Sequence, residues 1–137
     1  LLSQLQDLML STHKKYTSYG EIRYEYVKSD RDPNKSGNII TFYDGKSVKG
    51  AWDGGNTYNR EHVWAQANSN DLFGQSGCGA DLHHLRPADP SVNSSRGNSK
   101  FGYVTGGSSV GGGKLKDKVY EPADNYKGDT ARIIMYL

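Results

Sequence analysis

Residues 89–97 carry signals for both ends of a short helix. Asp89 can accept hydrogen bonds from the first backbone N–H groups, and Pro90 suits the first helical position because it has no N–H to donate. Gly97 suits the position just past the last turn, where the backbone is often left-handed. The spacing predicts a helix of about two turns.

Two stretches with the composition of strands precede this helix. The first covers residues 60–64 and the second covers residues 81–85, with a glycine-containing loop over residues 66–80 between them. A hairpin packed against the short helix accommodates the order strand, loop, strand, helix. We therefore predict an α+β fold with a hairpin-plus-helix core, embedded in additional helices and short strands with long loops.

Two helices are predicted ahead of the hairpin. The first is an amphipathic helix that covers the core, because apolar residues recur there at helical spacing, namely Leu1, Leu2, Leu5, Leu8 and Met9. Ser18 and Glu21 stand three apart, as in a capping box that opens a second helix with Ile22 and Tyr26 on one face. The alternation of Ile22, Tyr24 and Tyr26 is also compatible with a strand.

Turn and strand signals fill most of the remaining chain. Residues 29–37 are turn formers, residues 39–43 have the composition of a strand, and Asp44-Gly45 predicts a tight reversal. Six glycines lie among serines in residues 102–113, which predicts a flexible surface loop. Residues 129–137 begin like a helix without a C-terminal signal, so we expect the chain to end inside or near that helix.

The composition sets limits on the class of protein. At 137 residues the chain has the length of one domain, and we predict a single domain over residues 1–137. The net charge of +2 permits a nucleic-acid partner without requiring one, and the single cysteine, Cys78, excludes an internal disulfide. No apolar run is long enough to span a bilayer, and the first residues lack the basic flank of a secretory signal. Nothing in the sequence indicates a membrane or an obligate protein partner.

Glu61, His62 and Asn93 provide the side chains that phosphodiester hydrolysis requires. A neutral imidazole can take a proton from water near neutral pH, so His62 is the predicted general base. The Glu61 carboxylate and the Asn93 amide oxygen are hard ligands, which favour magnesium, with manganese or calcium as alternatives, over zinc. Neighbouring residues of a regular strand face opposite sides, so the backbone must twist or leave the strand near Glu61 and His62.

Other polar residues are predicted to support this site. Three arginines can each bind a phosphate through two hydrogen bonds, namely Arg60, Arg86 and Arg96. Arg96 is the best placed, because it lies three residues after Asn93 on the same helix face. His83 and His84 would face opposite ways on a strand, so at most one of them is expected to point into the site. There we expect it to orient a group of the site rather than to act directly in catalysis. Asp81 is expected to accept hydrogen bonds within the hairpin.

Three ordered motifs carry a family resemblance: residues 59–64 (NREHVW), 81–85 (DLHHL) and 92–98 (VNSSRGN). In this order they resemble the endonuclease I family, bacterial metal-dependent nucleases of the ββα-metal, or His-Me finger, superfamily. Tyr43 and residues 121–122 and 127–132 also resemble that family. The combination of the three motifs in order is specific, whereas any one of them alone is a weak signal.

The resemblance implies that His62 activates water, that Glu61 and Asn93 bind the metal, and that the product keeps a 5′-phosphate. It also implies little sequence preference, with DNA and also RNA as substrates, and a secreted or periplasmic location. Two departures limit the transfer. Many relatives have proline where this chain has Ala65, and disulfide-bearing members have additional cysteines and a basic residue in a loop that here holds only Cys78.

Two other interpretations are non-enzymatic. The first is a zinc-stabilised binding module whose ligands would be Cys78, His62, His83 and His84. The spacing lacks the paired ligands of such modules, and this interpretation leaves Glu61 and Asn93 without a role. The second is a nucleic-acid-binding domain that descends from a nuclease and has become inactive. The presence of Glu61, His62 and Asn93 together argues against it.

Overall fold

The computed structural model of the protein describes residues 1–70 and 72–137. The described residues form four α-helices and eight short strands, which confirms the α+β class. In chain order these are α1 (Leu2–Thr12), α2 (Ile22–Ser29), β1 (Asn38–Ile40), β2 (Ser47–Lys49), β3 (Asn59–His62), β4 (Leu85–Ala88), α3 (Pro90–Arg96), β5 (Lys100–Phe101), β6 (Ser108–Val110), β7 (Gly113–Lys116), β8 (Val119–Glu121) and α4 (Asp124–Tyr136).

The strands form three small sheets. β1 pairs with β2 and β3 pairs with β4, both antiparallel, and the third sheet has the order β5-β8-β7-β6. In the β3–β4 hairpin Glu61 lies opposite Arg86 and His62 lies opposite Leu85. α3 follows β4 after a single residue, so the predicted order of strand, strand and helix is present.

α3 has the bounds that its end signals predict. The Asp89 carboxylate accepts hydrogen bonds from the N–H groups of Ser91 (2.8 Å) and Val92 (3.3 Å), and Pro90 is the first helical residue. Gly97 ends the helix with a φ of 51°. The helix buries Val92 and Arg96, which turns the face that carries Asn93 and Arg96 toward the hairpin.

The predicted second strand, residues 81–85, is wrong, because the strand runs from Leu85 to Ala88. Asp81 explains the shift. Its carboxylate accepts the N–H of His83 (2.7 Å), and its carbonyl accepts the N–H groups of His84 (3.0 Å) and Leu85 (2.8 Å). These local bonds make a turn of residues 81–84 and postpone strand pairing. His83 and His84 are therefore turn residues.

The predicted helix with Ile22 and Tyr26 on one face is confirmed as α2. Ser18 and Glu21 make the reciprocal capping box: the Ser18 N–H donates to the Glu21 carboxylate (3.2 Å), and the Glu21 N–H donates to the Ser18 hydroxyl (3.1 Å). α2 then buries Ile22 and Tyr26 on one face. The alternative strand is thereby excluded.

The first helix forms as predicted, but it does not cover the core. α1 contains no buried residue, and its leucines at positions 2, 5, 8 and 10 are 42% to 77% exposed. Helical periodicity identifies an apolar face without identifying a surface for it to pack on. The described interior is filled instead by residues of α2, α3 and α4 and of the strands and the segments next to them.

The glycine-rich segment, residues 102–113, was predicted to be a flexible loop, and this prediction is wrong. It contains β6 and the start of β7, joined by Gly111 and Gly112 with φ values of 54° and 78°. Two adjacent residues with positive φ make the tight turn that suits a twisted hairpin, so the glycines serve strand pairing. A side chain at Gly113 would collide with the Glu121 carbonyl, because its Cβ would lie 2.3 Å from that oxygen.

Other boundaries differ more modestly. The strand predicted over residues 39–43 is confined to β1, while the reversal at Asp44-Gly45 is confirmed by a hydrogen bond from the Gly45 N–H to the Thr41 carbonyl (3.0 Å). α4 begins at Asp124, five residues before the predicted start, and runs to Tyr136. No helix in the described ranges has the length and apolarity that crossing a membrane requires.

Two apolar clusters hold the hairpin in place. One contains Phe42, Tyr43, Val63, Val92, Tyr120 and Ile133. The other contains Ile22, Tyr26, Ile39, Tyr58 and Leu85. Val63 follows β3 and Leu85 begins β4, so the polar residues of the hairpin lie between two packed regions.

Candidate active site

Glu61, His62 and Asn93 line one cleft, which has a volume of about 240 Å³. β3 supplies the first two side chains and α3 supplies the third. Arg60, Ala65, Gln66, Arg96, Gly97 and Asn98 complete its lining. The hairpin and the helix thus bring the three predicted groups together. His62 is the last residue of β3, so the chain leaves the strand at the pair where a regular strand would separate the two side chains.

The Glu61 carboxylate is held from behind by two donors. Its Oε1 accepts the Tyr43 hydroxyl (2.9 Å) and the Arg96 Nη1 (2.7 Å), and the residue is only 3% exposed. Among the described residues no donor reaches Oε2, so one oxygen of this carboxylate is available to a ligand. Burial raises the pKa of Glu61 to about 7, while the Arg96 charge and the two hydrogen bonds favour its ionised form. A cation at Oε2 would favour ionisation further.

The Asn93 side chain is oriented by its neighbour on β3. Its Nδ2 donates to the Asn59 Oδ1 (2.6 Å). This bond identifies the nitrogen side of the amide. Oδ1 of Asn93 is the atom that can accept a hydrogen bond or bind a cation, and no described residue donates to it. Asn59 and Tyr43 were not selected as site residues from the sequence. Asn59 stands two positions before Glu61, which is the spacing that places two side chains on one face of a strand.

His62 has a defined arrangement of its ring protons. Its Nε2 lies 2.9 Å from the Gly74 carbonyl oxygen, which can only accept, so Nε2 carries the hydrogen. In the neutral ring Nδ1 then carries the lone pair. Burial lowers the pKa of His62, and the carbonyls of Gly74 and Gly79 partly oppose that shift. The imidazole is therefore neutral near pH 7, as a general base must be.

His84 is a buried partner of the segment that follows His62. Its Nε2 accepts the backbone N–H of Trp64 (3.0 Å), so its Nδ1 carries the hydrogen and donates to the Cys78 carbonyl (3.0 Å). The His84 and His62 rings meet edge to face at 5.6 Å. Burial lowers the pKa of His84 to about 4. His84 thus connects the segment after β3 to the turn before β4, and its orienting role stays a prediction.

His83 and Asp81 lie outside the cleft. His83 packs on the Tyr136 ring, with 4.3 Å between ring centroids. The Asp81 carboxylate lies 3.0 Å from the His13 Nε2 and accepts the Tyr136 hydroxyl at 3.4 Å, besides its bond within the turn. Asp81 therefore accepts hydrogen bonds within this part of the fold, as predicted, and it also contacts the chain that follows α1. The prediction that His83 orients a group of the site has no contact to support it.

Arg96 reaches the position that its spacing from Asn93 predicts, but its guanidinium is buried. It is 2% exposed and donates to Glu61, to the His62 carbonyl (3.0 Å) and to the Val63 carbonyl (2.8 Å). A group engaged in this way positions Glu61 and the end of β3 and has little capacity left for a phosphate. The prediction that Arg96 binds a phosphate is therefore corrected. Its spacing from Asn93 predicted the correct helix face, but burial of the guanidinium gives it the Glu61 carboxylate as its partner.

Arg86 and Arg60 were also predicted to contact phosphate, but only Arg60 lines the cleft. Arg86 pairs with Asp30 at the end of α2 (2.6 Å) and does not line the cleft, so its predicted contact with phosphate is corrected as well. Arg60 lines the cleft and stacks on the Tyr19 ring (3.7 Å) and on Trp52 (5.1 Å). Its Nη1 donates to the Tyr19 carbonyl, and no carboxylate among the described residues neutralises it. The role of Arg60 as a phosphate contact stays a prediction.

The donor set of the cleft fits a hard divalent cation. Two protein oxygens, Glu61 Oε2 and Asn93 Oδ1, leave the other ligand positions to waters and substrate oxygens. The residues described by the structure contain no group of three His, Cys, Asp or Glu side chains arranged for a metal ion. The zinc-module interpretation requires such a group, and both ring nitrogens of His84 are already hydrogen-bonded. The structure therefore gives that interpretation no support.

Comparison with known proteins identifies the family. The model of the family described as Endonuclease I matches residues 1–137. The chain is 41% identical over 126 residues to an "Extracellular ribonuclease" of Bacillus subtilis (strain 168), which covers 88% of this chain and 42% of that protein. It is 40% identical over 135 residues to an "Extracellular ribonuclease" of Bacillus amyloliquefaciens, which covers 94% of this chain and 45% of that protein.

The chain therefore spans less than half the length of these two relatives. The resemblance inferred from the three ordered motifs is confirmed, and the chain belongs to the endonuclease I family.

Proposed function

We propose that the protein is a metal-dependent endonuclease that hydrolyses phosphodiester bonds of RNA and DNA with little sequence preference. The observation that carries this proposal is the single cleft shared by Glu61, His62 and Asn93, where a carboxylate oxygen, an amide oxygen and an imidazole lone pair are available. Membership of the family and the ribonuclease names of the two relatives support the same activity.

His62 acts as the general base in this proposal. Its Nδ1 accepts a proton from a water molecule as that water attacks phosphorus, and the Gly74 carbonyl stabilises the imidazolium through Nε2–H. Glu61 Oε2 and Asn93 Oδ1 would hold a magnesium ion, with manganese or calcium as substitutes. When bound, the ion supplies stabilisation of negative charge on the phosphate and the departing oxygen. Tyr43 and Arg96 keep the Glu61 carboxylate aimed at the cleft.

Arg60 at the cleft and the arginine and aromatic side chains stacked next to it support a nucleic-acid substrate. Arg60 stacks on Tyr19 and Trp52, and Arg23 lies over the rings of Trp52 (5.6 Å) and Tyr24 (4.9 Å). Neither guanidinium pairs with a carboxylate among the described residues, so both remain available to phosphates. Aromatic rings interleaved with arginines suit a sugar–phosphate chain that carries flat bases.

Water as the nucleophile determines the product and the substrate range. Because no 2′-hydroxyl takes part, the same chemistry cuts DNA and RNA, and the 3′-oxygen leaves so that the product keeps a 5′-phosphate. We also propose that the protein acts outside the cytoplasm, since both relatives are named extracellular.

A cleavage assay over a panel of divalent ions tests the proposal. The purified protein, freed of metal with EDTA, is expected to cut RNA and both single- and double-stranded DNA only after magnesium or manganese is restored. End labelling of the products should show 5′-phosphates. Cleavage that persists in EDTA, or that returns with zinc alone, would contradict the proposed cation.

A further inference from the structure

An apolar cavity of about 370 Å³ adjoins the catalytic cleft. Ala65 and Arg96 line both spaces, so the cavity and the cleft adjoin at these residues. Trp64, Phe101 and Ile134 provide the apolar walls. The volume is within the range of pockets that bind small organic groups, which is about 300 to 1,000 Å³.

Trp64 provides an aromatic wall of this cavity that is open to solvent. It lies two positions after His62, and the residue is 36% exposed although an indole gains much from burial. Its position is nevertheless fixed, because its backbone N–H donates to His84 (3.0 Å) and its ring meets the Phe73 ring edge to face at 6.3 Å. An aromatic ring that is held in place and left open beside a catalytic base is suited to stacking on a flat ligand.

The polar residues of the cavity match the edges of such a ligand. Asn68 is exposed, and its Nδ2 donates to the Asn98 carbonyl (2.8 Å), which leaves its Oδ1 as an acceptor for a ligand N–H. Lys100 is exposed at the same cavity and carries a positive charge that suits a phosphate. An aromatic wall, a hydrogen-bond acceptor and a cation together favour a nucleotide over a purely apolar ligand.

We propose that this cavity binds one unpaired nucleobase of the strand being cut, stacked on Trp64, while the adjoining phosphate lies in the cleft. The inference rests on the proposed function and names the form of substrate that the site takes. A base inside a duplex must be unstacked and unpaired before it can enter. Single-stranded nucleic acid and loops are therefore bound better than duplexes.

The test compares oligonucleotides that have one cleavable linkage and differ by removal of a single base. In the parent protein, an abasic nucleotide on one side of that linkage is expected to raise KM about tenfold, since stacking of one base on an aromatic side chain has effects of this size or larger. Trp64→Ala should raise KM about tenfold for the oligonucleotide with all its bases. In this variant, removal of the same base should then change KM by less than about twofold.

Two further variants serve as controls. Trp64→Phe keeps an aromatic wall and should retain most of the parent's discrimination against the abasic substrate. Tyr103 is 91% exposed and lines neither space, so Tyr103→Ala should behave like the parent. Equal loss from base removal in the parent and in Trp64→Ala would overturn the inference while leaving the nuclease proposal standing. Failure of the parent to cut any substrate with magnesium or manganese would instead reject the proposed function.

Discussion

Two arginines line the same cleft but have different surroundings: Arg96 lies in its buried wall and Arg60 lies at its rim. Behind the cleft, Arg96 is buried and donates to the Glu61 carboxylate and to two backbone carbonyls at the end of β3. At the rim, Arg60 lies on the Tyr19 ring with no carboxylate among the described residues to neutralise it. The wall charge therefore maintains the geometry of the site, and the rim charge remains available to a substrate.

The buried arginine and the arginine at the rim are therefore expected to affect different properties of the protein, namely its stability and its affinity for nucleic acid. A buried charge that loses its partner destabilises the fold strongly, whereas an exposed charge contributes little to stability. Conversely, only a charge that a phosphate can reach contributes to the dependence of binding on salt. Substitutions on the wall should therefore change the free energy of unfolding, and substitutions at the rim should change the affinity for nucleic acid.

The largest expected effect follows replacement of Arg96. Arg96→Met leaves the Glu61 carboxylate buried without its cationic partner and should reduce the free energy of unfolding by about 3 to 5 kcal/mol, measured by urea denaturation. Arg132→Met is the matched control, because that arginine is exposed and pairs with Asp129 on the surface of α4. The control should change stability by less than about 1 kcal/mol. Similar losses in the two variants would contradict the stabilising role assigned to the buried Arg96.

A second effect concerns the dependence of stability on pH, to which two buried groups, His84 and Glu61, contribute in opposite directions. The pKa of His84 is lowered by burial from 6.5 to about 4. Its contribution to stability is complete above pH 6.5 and is lost as the pH falls toward 4, because the unfolded chain takes up the proton first. The maximum loss is about 3 kcal/mol. Glu61, whose pKa is raised to about 7, has the opposite effect: its contribution is complete below pH 4.5 and declines as the pH rises to 7.

A variant separates these two contributions. His84→Gln retains an acceptor for the Trp64 N–H and cannot take up a proton in this range. Its free energy of unfolding should fall less steeply than that of the parent between pH 6.5 and 4. Parallel pH profiles for the two proteins would show that His84 does not have the lowered pKa.

The smallest expected effect is at the rim. Arg60→Gln should weaken binding of a nucleic acid several-fold and reduce the slope of log affinity against log salt by about 1, with little dependence on sequence. Arg132→Gln removes the same charge from a residue that does not line the cleft, so it should leave the slope nearly unchanged. If both variants lower the slope equally, Arg60 acts only through the net charge of the protein.

Local signals predicted some elements well. α3 has an N-cap, a proline and a terminal glycine within nine residues, and α2 has a capping box, so their starts depend on contacts over three or four residues. The membership of Glu61, His62 and Asn93 in one cleft also followed from the order of a hairpin and a helix. Their catalytic roles stay predictions.

The errors have two physical causes: some local signals permit more than one structure, and other contacts depend on partners that the sequence does not specify. Asp81 used its side chain to form a turn where β-propensity suggested a strand. Gly111 and Gly112 permit a tight hairpin as readily as a flexible loop. The apolar face of α1 has no buried residue. Arg96 was assigned to the correct face but not to its buried partner, and the Gly74 carbonyl that sets the His62 tautomer comes from a distant loop.

Turnover of His62→Ala tests the central claim most directly. The variant should fold like the parent and still bind nucleic acid, but its kcat with magnesium should fall at least about a hundredfold, because the proton acceptor is lost. His83→Ala is the matched control, since that neighbouring histidine lies on Tyr136 outside the cleft and should keep kcat within a few-fold of the parent. Equal rates for the parent and His62→Ala would contradict the assignment of the general base.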